Sequence, residues 1–575
     1  MFRAVVAVVA AAAGLGAGAA RGAGELIAVL PGDDWLLPAW ATPAPDSGFF
    51  SEEADAAHQV NLRVVDLTWR QLEPVEGTFS TTGTDNVYGM PFASWDAQLA
   101  GGDPYWLRLW ISGRNWAPAW ARTACGVDTV GVGYENDPHL PIWDACLWEK
   151  ATSLFRRVLI DRGLRAEPRM RLAYVPGAFT WCEFDFDIPE QAAQNGQLTF
   201  AQFSGWFHPA IQDLVSILNG ENADPTDDYA WKLVYTGEDY PFSSWGAQDD
   251  LLARDAVAYG TGVRTGITEV FNFHLNQIPA YGTTIDPNGY LATDESWNAF
   301  HRGRVRASEN ECYDACGFTV PPALRYYAIK MSNLRALQMR LNWLYVVPTD
   351  SHMDDHPVLW DWVRRSLGQS VYRSADAWAA LRDAEDTYWI DDPTHSWAGK
   401  PWVKNLERWL VQRDAPGAVS RRGTETFTDV LDPSNGTAYE GRRTHLAAGQ
   451  GALELHVDDR FLPENRAFAV DLKITFRDAG AGSFRVAYPA AGGVVLSDVV
   501  SYTGSNLWKT ATYRLDAALW NGTLAHGADL RLEATGPADL EVRFVRLLKR
   551  QPDSVLFLDG FEHGSTSFWN PLLVP

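Results

Sequence analysis

From about residue 25 to residue 415 the chain alternates short apolar runs with longer amphipathic ones. Val60–Thr68, Tyr105–Ile111, Met170–Val175, Trp231–Tyr235, Gly266–Phe273, Arg304–Ser308 and Leu341–Val347 are short and rich in β-branched and aromatic residues, which predicts strands. Between them, Leu147–Arg162, Phe207–Leu218 and Leu324–Met339 place apolar residues at helical spacing. An earlier run, Leu26–Leu30, brings the strand count to eight, the number that closes a barrel. Alternation of this kind predicts a parallel α/β architecture, an (α/β)8 TIM barrel over residues 24–416. Asp383–Asp414, ending in KNLERWLVQRD, reads as a closing helix.

The texture changes after that. Residues 420–549 show short period-two runs separated by turn residues, among them Ala452–Val457, Ala467–Phe476 and Leu540–Leu548. This pattern predicts an antiparallel β-sandwich. Residues 550–575 form a tail without enough apolar material for a core of their own.

The N-terminus carries Arg3 ahead of an Ala- and Val-rich run, Ala4–Ala20, and then small residues. Residues 1–23 read as a secretion signal, with an uncleaved anchor as the other reading. The expected location is secreted, periplasmic or in the cell envelope, with no membrane insertion once the signal is removed. The chain has 575 residues and a net charge of −24. That surface disfavours nucleic acid and anionic membrane as partners and suits a neutral glycan. Five cysteines are present. Cys125 with Cys146 and Cys312 with Cys316 are the closest in sequence, leaving Cys182 over. Glycine spacing fits no phosphate or dinucleotide loop, and no cofactor is expected. His352 to His356 resembles a metal string, but reads better as a loop whose Asp355 or His356 caps a helix with Pro357 in its first turn. The oligomeric state is not legible.

Two carboxylate positions carry the chemistry. Glu183 follows the apolar run of RLAYVPGAFTWCEFDFD, and Glu309 and Glu311 end RVRASENECYD. Carboxylates just past strand ends of a barrel sit where catalytic groups sit. Two from different strands satisfy the acid/base and nucleophile roles of glycosidic cleavage. Glu309 and Glu311 are two apart, so on a strand both would share a face; Glu309 is the first candidate and Glu311 the second. Arg108 is a candidate partner for the nucleophile, or a structural ion pair. The chain has 26 tryptophans, whose amphipathic rings suit sugar faces. Trp69, Trp116, Trp120, Trp181, Tyr235, His274 and Trp343 are the substrate-contact candidates.

The segment Trp69–Phe79, WRQLEPVEGTF, together with NWAPAWA at Asn115–Ala121 and the stretch Leu140–Phe184 ending in Trp181-Cys182-Glu183, resembles clan A glycoside hydrolases, particularly the family 42 β-galactosidase type. Cys182 stands where that clan usually has Asn. The resemblance implies a retaining mechanism with Glu183 as acid/base. NLWKTATYRL at Asn506–Leu515 and DLEVRFVRLLK at Asp539–Lys549 resemble the jelly-roll modules attached to glycosidases. The rival readings are a non-catalytic glycan-binding barrel and an envelope or adhesive structural protein.

Overall fold

The computed structural model describes residues 24–551, apart from 53, 178, 185–186, 238–245, 266–280, 287–289, 295–302, 312, 314–319, 321, 385–403, 419, 429–436 and 465. The expected signal, the C-terminal tail from 552 and the Cys312–Cys316 pairing lie outside the described residues.

Eight parallel strands close into a barrel. In chain order they are Gly48–Phe50, Val60–Thr68, Tyr105–Trp110, Met170–Tyr174, Leu233–Gly237, Gly262–Thr265, Arg306–Glu309 and Trp343–Tyr345, each hydrogen-bonded to the next and the eighth to the first. Alternate side chains enter two different cores, as the two-residue period of a strand requires. Leu62, Trp106, Leu172, Val234, Ala307 and Trp343 fill the barrel interior. Val65, Leu107, Ala173, Tyr235, Val263 and Leu344 face outward, into the layer that also holds the helices. Those helices include Ala145–Arg156, Phe200–Leu218, Gly246–Tyr259, Pro322–Gln338 and Pro357–Ser366. Phe200–Leu218 begins with a capping box in which Thr199 and Gln202 exchange hydrogen bonds. Pro357 opens its helix at the position where a missing N–H costs nothing. His356 precedes it but gives no side-chain cap.

Three expectations change. Glu25–Pro31 is a strand, but it pairs antiparallel with Trp508–Ala518 in the C-terminal sheet. The barrel instead gains Gly48–Phe50, too short a run to stand out as periodic. The sixth barrel strand is Gly262–Thr265, upstream of the Gly266–Phe273 segment, of which 266–273 lie outside the described residues. KNLERWLVQRD is not a helix. Leu406–Arg408 and Leu410–Arg413 are two strands, broken at Trp409, whose φ is 58°. The break explains the false helical spacing: Leu406 enters the barrel-side core and Leu410 the sheet core.

The C-terminal part is an antiparallel sheet that also draws in Glu25–Pro31, Asp376–Ala380 and the two strands around Trp409. Its core holds Leu472, Ile474, Phe484, Tyr513, Leu532 and Val545. It meets the barrel through Trp35, Trp362, Trp378 and Phe544, whose rings lie 4.7–6.5 Å apart in contacting pairs. Around these rings Asp33 pairs with Arg543 at 2.7 Å, Lys330 with Glu440 at 2.9 Å, and Arg546 with Asp376 at 2.6 Å.

Candidate active site

The mouth of the barrel, beyond the C-terminal ends of its strands, gathers the carboxylates. The fourth strand ends at Tyr174 and the chain turns back through a short helical turn, Thr180–Cys182. Trp181 and Cys182 have φ of 54° and 59°. Two consecutive non-glycine residues in the left-handed region are costly, and such strain concentrates at functional sites. The turn is pinned: the Phe179 N–H donates to the Glu183 carbonyl at 2.6 Å, the Phe184 N–H to the Thr236 carbonyl at 2.9 Å, and the Thr236 hydroxyl to the Cys182 carbonyl at 3.0 Å. These bonds tie the loop to the fifth strand and set the Glu183 side chain, which is buried.

Glu309 arrives differently, as the last residue of the seventh strand, and is also buried. Asn310 leaves the strand with its N–H on the Tyr345 carbonyl at 3.0 Å. Arg264 from the sixth strand joins the two glutamates. Its Nη1 lies 2.7 Å from Glu183 Oε1, and its Nη2 is paired with Glu309 Oε1. One planar fork therefore holds two carboxyls from different strands side by side. The guanidinium carbon lies 5.6 Å from the Tyr174 ring and 5.8 Å from the Tyr345 ring, so aromatic faces flank the cluster.

Arg108 is buried beside this cluster but serves other partners. It donates to Asp66 through Nε and Nη2 at 2.7 and 2.8 Å, and to Glu52 at 2.8 Å. Its guanidinium lies 4.9, 5.2 and 5.5 Å from the Trp106, Trp110 and Trp181 rings. Against the cost of burial, Asp66 and then Glu52 hold it well above the ordinary arginine range. Trp110 Nε1 donates to Asp66 at 2.7 Å, completing that carboxylate. Arg264, not Arg108, is thus the arginine seated on Glu309.

Glu311 is half-buried and lies two residues past the end of the strand, where strand alternation no longer sets its face. Its charge is felt at Tyr345, whose hydroxyl burial pushes well above the ordinary range, with Glu311 and Glu52 adding to the rise. Cys182 is a free, buried thiol, kept protonated by burial despite nearby Arg108.

Trp181 and Trp116 join an aromatic wall. Tyr88 lies 5.3 Å from Trp116 and 5.8 Å from Trp181, Trp110 lies 5.2 and 5.6 Å from the same rings, and Tyr134 is 5.5 Å from Trp181. Five other candidates fall elsewhere or outside. Tyr235 points outward from the fifth strand and stacks on Phe184 at 4.9 Å, so it cannot meet a ligand in the barrel mouth. Trp69 and Trp120 pack edge to face on the helix side; Trp69 Nε1 donates to the Glu73 carboxylate and Trp120 Nε1 to the Glu73 carbonyl. Trp343 lies in the barrel interior two residues before Tyr345, a layer below the mouth. His274 lies outside the described residues. The Glu73 of WRQLEPVEGTF is structural, accepting the Gly77 N–H at 2.7 Å and closing that turn.

Sequence reading missed Arg264, Glu52, Asp66, Tyr174 and Tyr345. Arg264 sits in a four-residue strand just upstream of the apolar run Gly266–Phe273, too short to stand out on its own. Asp66 was visible as a lone acid inside VNLRVVDLT, where a buried charge demands a partner.

Cys125 and Cys146 form a disulfide across the loop beside the mouth. With Asp144 they are the one His/Cys/Asp/Glu group close enough for a metal among the described residues, and the disulfide removes the thiolates it would need.

No family model matches the chain, and no curated protein matches it. Among solved structures, the apo BiXyn10A CBM1 carbohydrate-binding module aligns at 11% identity over 24% of this chain and 96% of that one, with a TM-score of 0.14. A β-glucosidase from Paenibacillus barengoltzii aligns at 10% identity over 72% of this chain and 40% of that one, with a TM-score of 0.18.

Proposed function

We propose that the chain is a secreted glycoside hydrolase, a TIM-type barrel bearing a jelly-roll module, that cleaves a glycosidic bond with Glu183 and Glu309. One observation carries the reading: two buried carboxyls from different strands meet on Arg264 at the barrel mouth. Glycosidic cleavage needs such a pair, one to protonate the leaving oxygen and one to attack or to activate water. Glu183, on its strained turn, is the acid/base. Glu309, fixed at a strand end, is the nucleophile of a retaining mechanism. Retention needs carboxyl groups about 5–5.5 Å apart, and inversion about 6.5–9.5 Å; a shared guanidinium favours the shorter spacing. Glu311, half-buried two residues past the end of the same strand, orients substrate. Export is supported by the Ala4–Ala20 run and by the Cys125–Cys146 bridge, which persists in oxidising compartments.

A second reading is a glycan-binding barrel without turnover. It draws on the same arginine, because a guanidinium satisfying both carboxyls also serves as a static clamp. Hydrolysis of a panel of aryl glycosides and polysaccharides decides between them. Turnover lost in both Glu183→Gln and Glu309→Gln supports the hydrolase, and proton NMR of the first product anomer tests retention. Binding without turnover of any substrate supports the static reading.

A further inference from the structure

The aromatic wall at the mouth is built from three turns, each with left-handed backbone at residues other than glycine. Tyr88 tops the hairpin of Asp85–Val87 and Met90–Phe92 with a φ of 53°. Tyr134 sits in the hairpin of Gly131–Val132 and Pro138–His139, followed by Glu135 and Asn136 at 54° and 57°. Trp181 and Cys182 form the turn that carries Glu183, at 54° and 59°. Bulky residues seldom adopt this conformation, and it persists only where the surroundings impose it.

The three turns converge. The Tyr134 N–H donates to the Thr180 hydroxyl at 3.4 Å, and a side chain at Gly133 would collide with Thr180 and His139. The second turn is therefore seated against the third. The Tyr134 ring lies 5.2 Å from Tyr88 and 5.5 Å from Trp181. Tyr88 and Trp181 are half-buried, and Trp116 behind them is fully buried. Tyr134, at the outer end of this series, is 49% exposed. Core packing accounts for the inner rings, but not for a ring held at the surface by strained backbone. Glu135 and Asn136 are exposed beside it and offer hydrogen bonds at its rim. A flat apolar face rimmed by polar groups matches a sugar ring, which is apolar on its faces and hydroxylated at its edge.

We infer that Tyr134, backed by Tyr88 and Trp181, is an outer subsite that stacks on a second sugar ring, so that the mouth takes an oligosaccharide chain in preference to a single sugar. This rests on the reading of the mouth as a glycan site, not on turnover there. The ring to be cleaved meets Glu183 and Glu309, and its neighbour in the chain lies against Tyr134.

The test measures binding of β-linked gluco-, galacto-, manno- and xylo-oligosaccharides, from the single sugar upward, to the full chain by isothermal titration calorimetry. In at least one series the affinity should rise about tenfold once a further ring can reach Tyr134. Tyr134→Ala should remove most of that gain and Tyr134→Phe should keep it, because the ring face stacks. Tyr134 lies at the surface, so losing its ring does not open the core, and Tyr134→Ser serves as a second variant without a ring. A gain untouched by both ringless variants, a gain lost equally in Tyr134→Phe, no gain in any series or no binding at all would overturn the inference. If the gain depends on Tyr134 but no glycoside is hydrolysed, the subsite stands and the hydrolase reading falls. If hydrolysis is lost in Glu183→Gln while Tyr134→Ala binds every chain length as the unaltered protein does, the subsite falls and the hydrolase reading stands.

Discussion

Two buried charge clusters divide the molecule between them. At the junction of barrel and sheet, Asp33 and Glu440 face Lys330 and Arg543, two charges of each sign. Tyr326 adds a hydrogen bond to Asp33 at 2.6 Å. At the barrel mouth, Glu183 and Glu309 meet on Arg264, and the chain beside Glu183 is held in two left-handed residues. The first cluster is balanced and its role is complete without a ligand. The second sits against a strained turn, and such strain concentrates at functional sites. Burial alone does not distinguish them; backbone strain does.

The sharpest way to break this contrast is to neutralise one member of each cluster. Glu183→Gln or Glu309→Gln should lower kcat by about 10³-fold or more on any glycoside turned over, because each group acts in the transition state. The melting temperature should fall little, since Gln keeps the shape of the side chain and Arg264 keeps the other glutamate as a partner. A large loss of stability without loss of activity would make the mouth cluster structural.

Asp33→Ala should do the reverse. It leaves Arg543 and Lys330 with Glu440 alone against two positive charges, at a cost of about 3–5 kcal/mol in stability, with kcat unchanged wherever the protein remains folded. The pH dependence carries a sign. Burial opposes ionisation of Asp33, but Arg543 and Lys330 overcome it and hold its carboxyl far below the ordinary value of 3.8. Its folded value is depressed, so its contribution is complete above the unfolded value and is lost as pH falls below about 4. Asp33→Ala should therefore flatten the acid limb of a melting-temperature profile, and an unchanged limb would place the acid sensitivity elsewhere.

Smaller effects sharpen the boundary of the mouth. Glu311→Gln should cost about tenfold or less in kcat/KM, well short of Glu309→Gln, because Glu311 orients rather than reacts. A loss equal to that of Glu309→Gln would exchange their roles. Tyr235→Phe should change KM less than about twofold, since the ring stacks on Phe184 outside the barrel.

Much of this was legible in the pattern of residues. Six of the eight barrel strands overlap an apolar run, because a strand buried on both faces is strongly apolar, and Gly262–Thr265 lies just upstream of the run at Gly266–Phe273. The strand Gly48–Phe50 escaped since three residues carry no period, and Glu25–Pro31 took its place in the count because a strand pattern does not name its partner. Glu183 and Glu309 stood out by position, whereas Arg264 did not, because pairing across strands is set by register and not by sequence distance. Tyr235 and Trp343 show the other limit. A shift of one residue along a strand sends a side chain to the opposite face, and a shift of two moves it to another layer.

The pairing of Glu25–Pro31 with Trp508–Ala518 has a consequence for the order of events in assembly. The edge strand is made first, yet its template is made only after the whole barrel has left the ribosome. Until then the segment carries unpaired backbone donors and exposed Ile27, Val29 and Leu30. Such a long-range closure is slow to form. It makes the final docking of the C-terminal sheet a late step, and one that a holding chaperone would be well placed to guard.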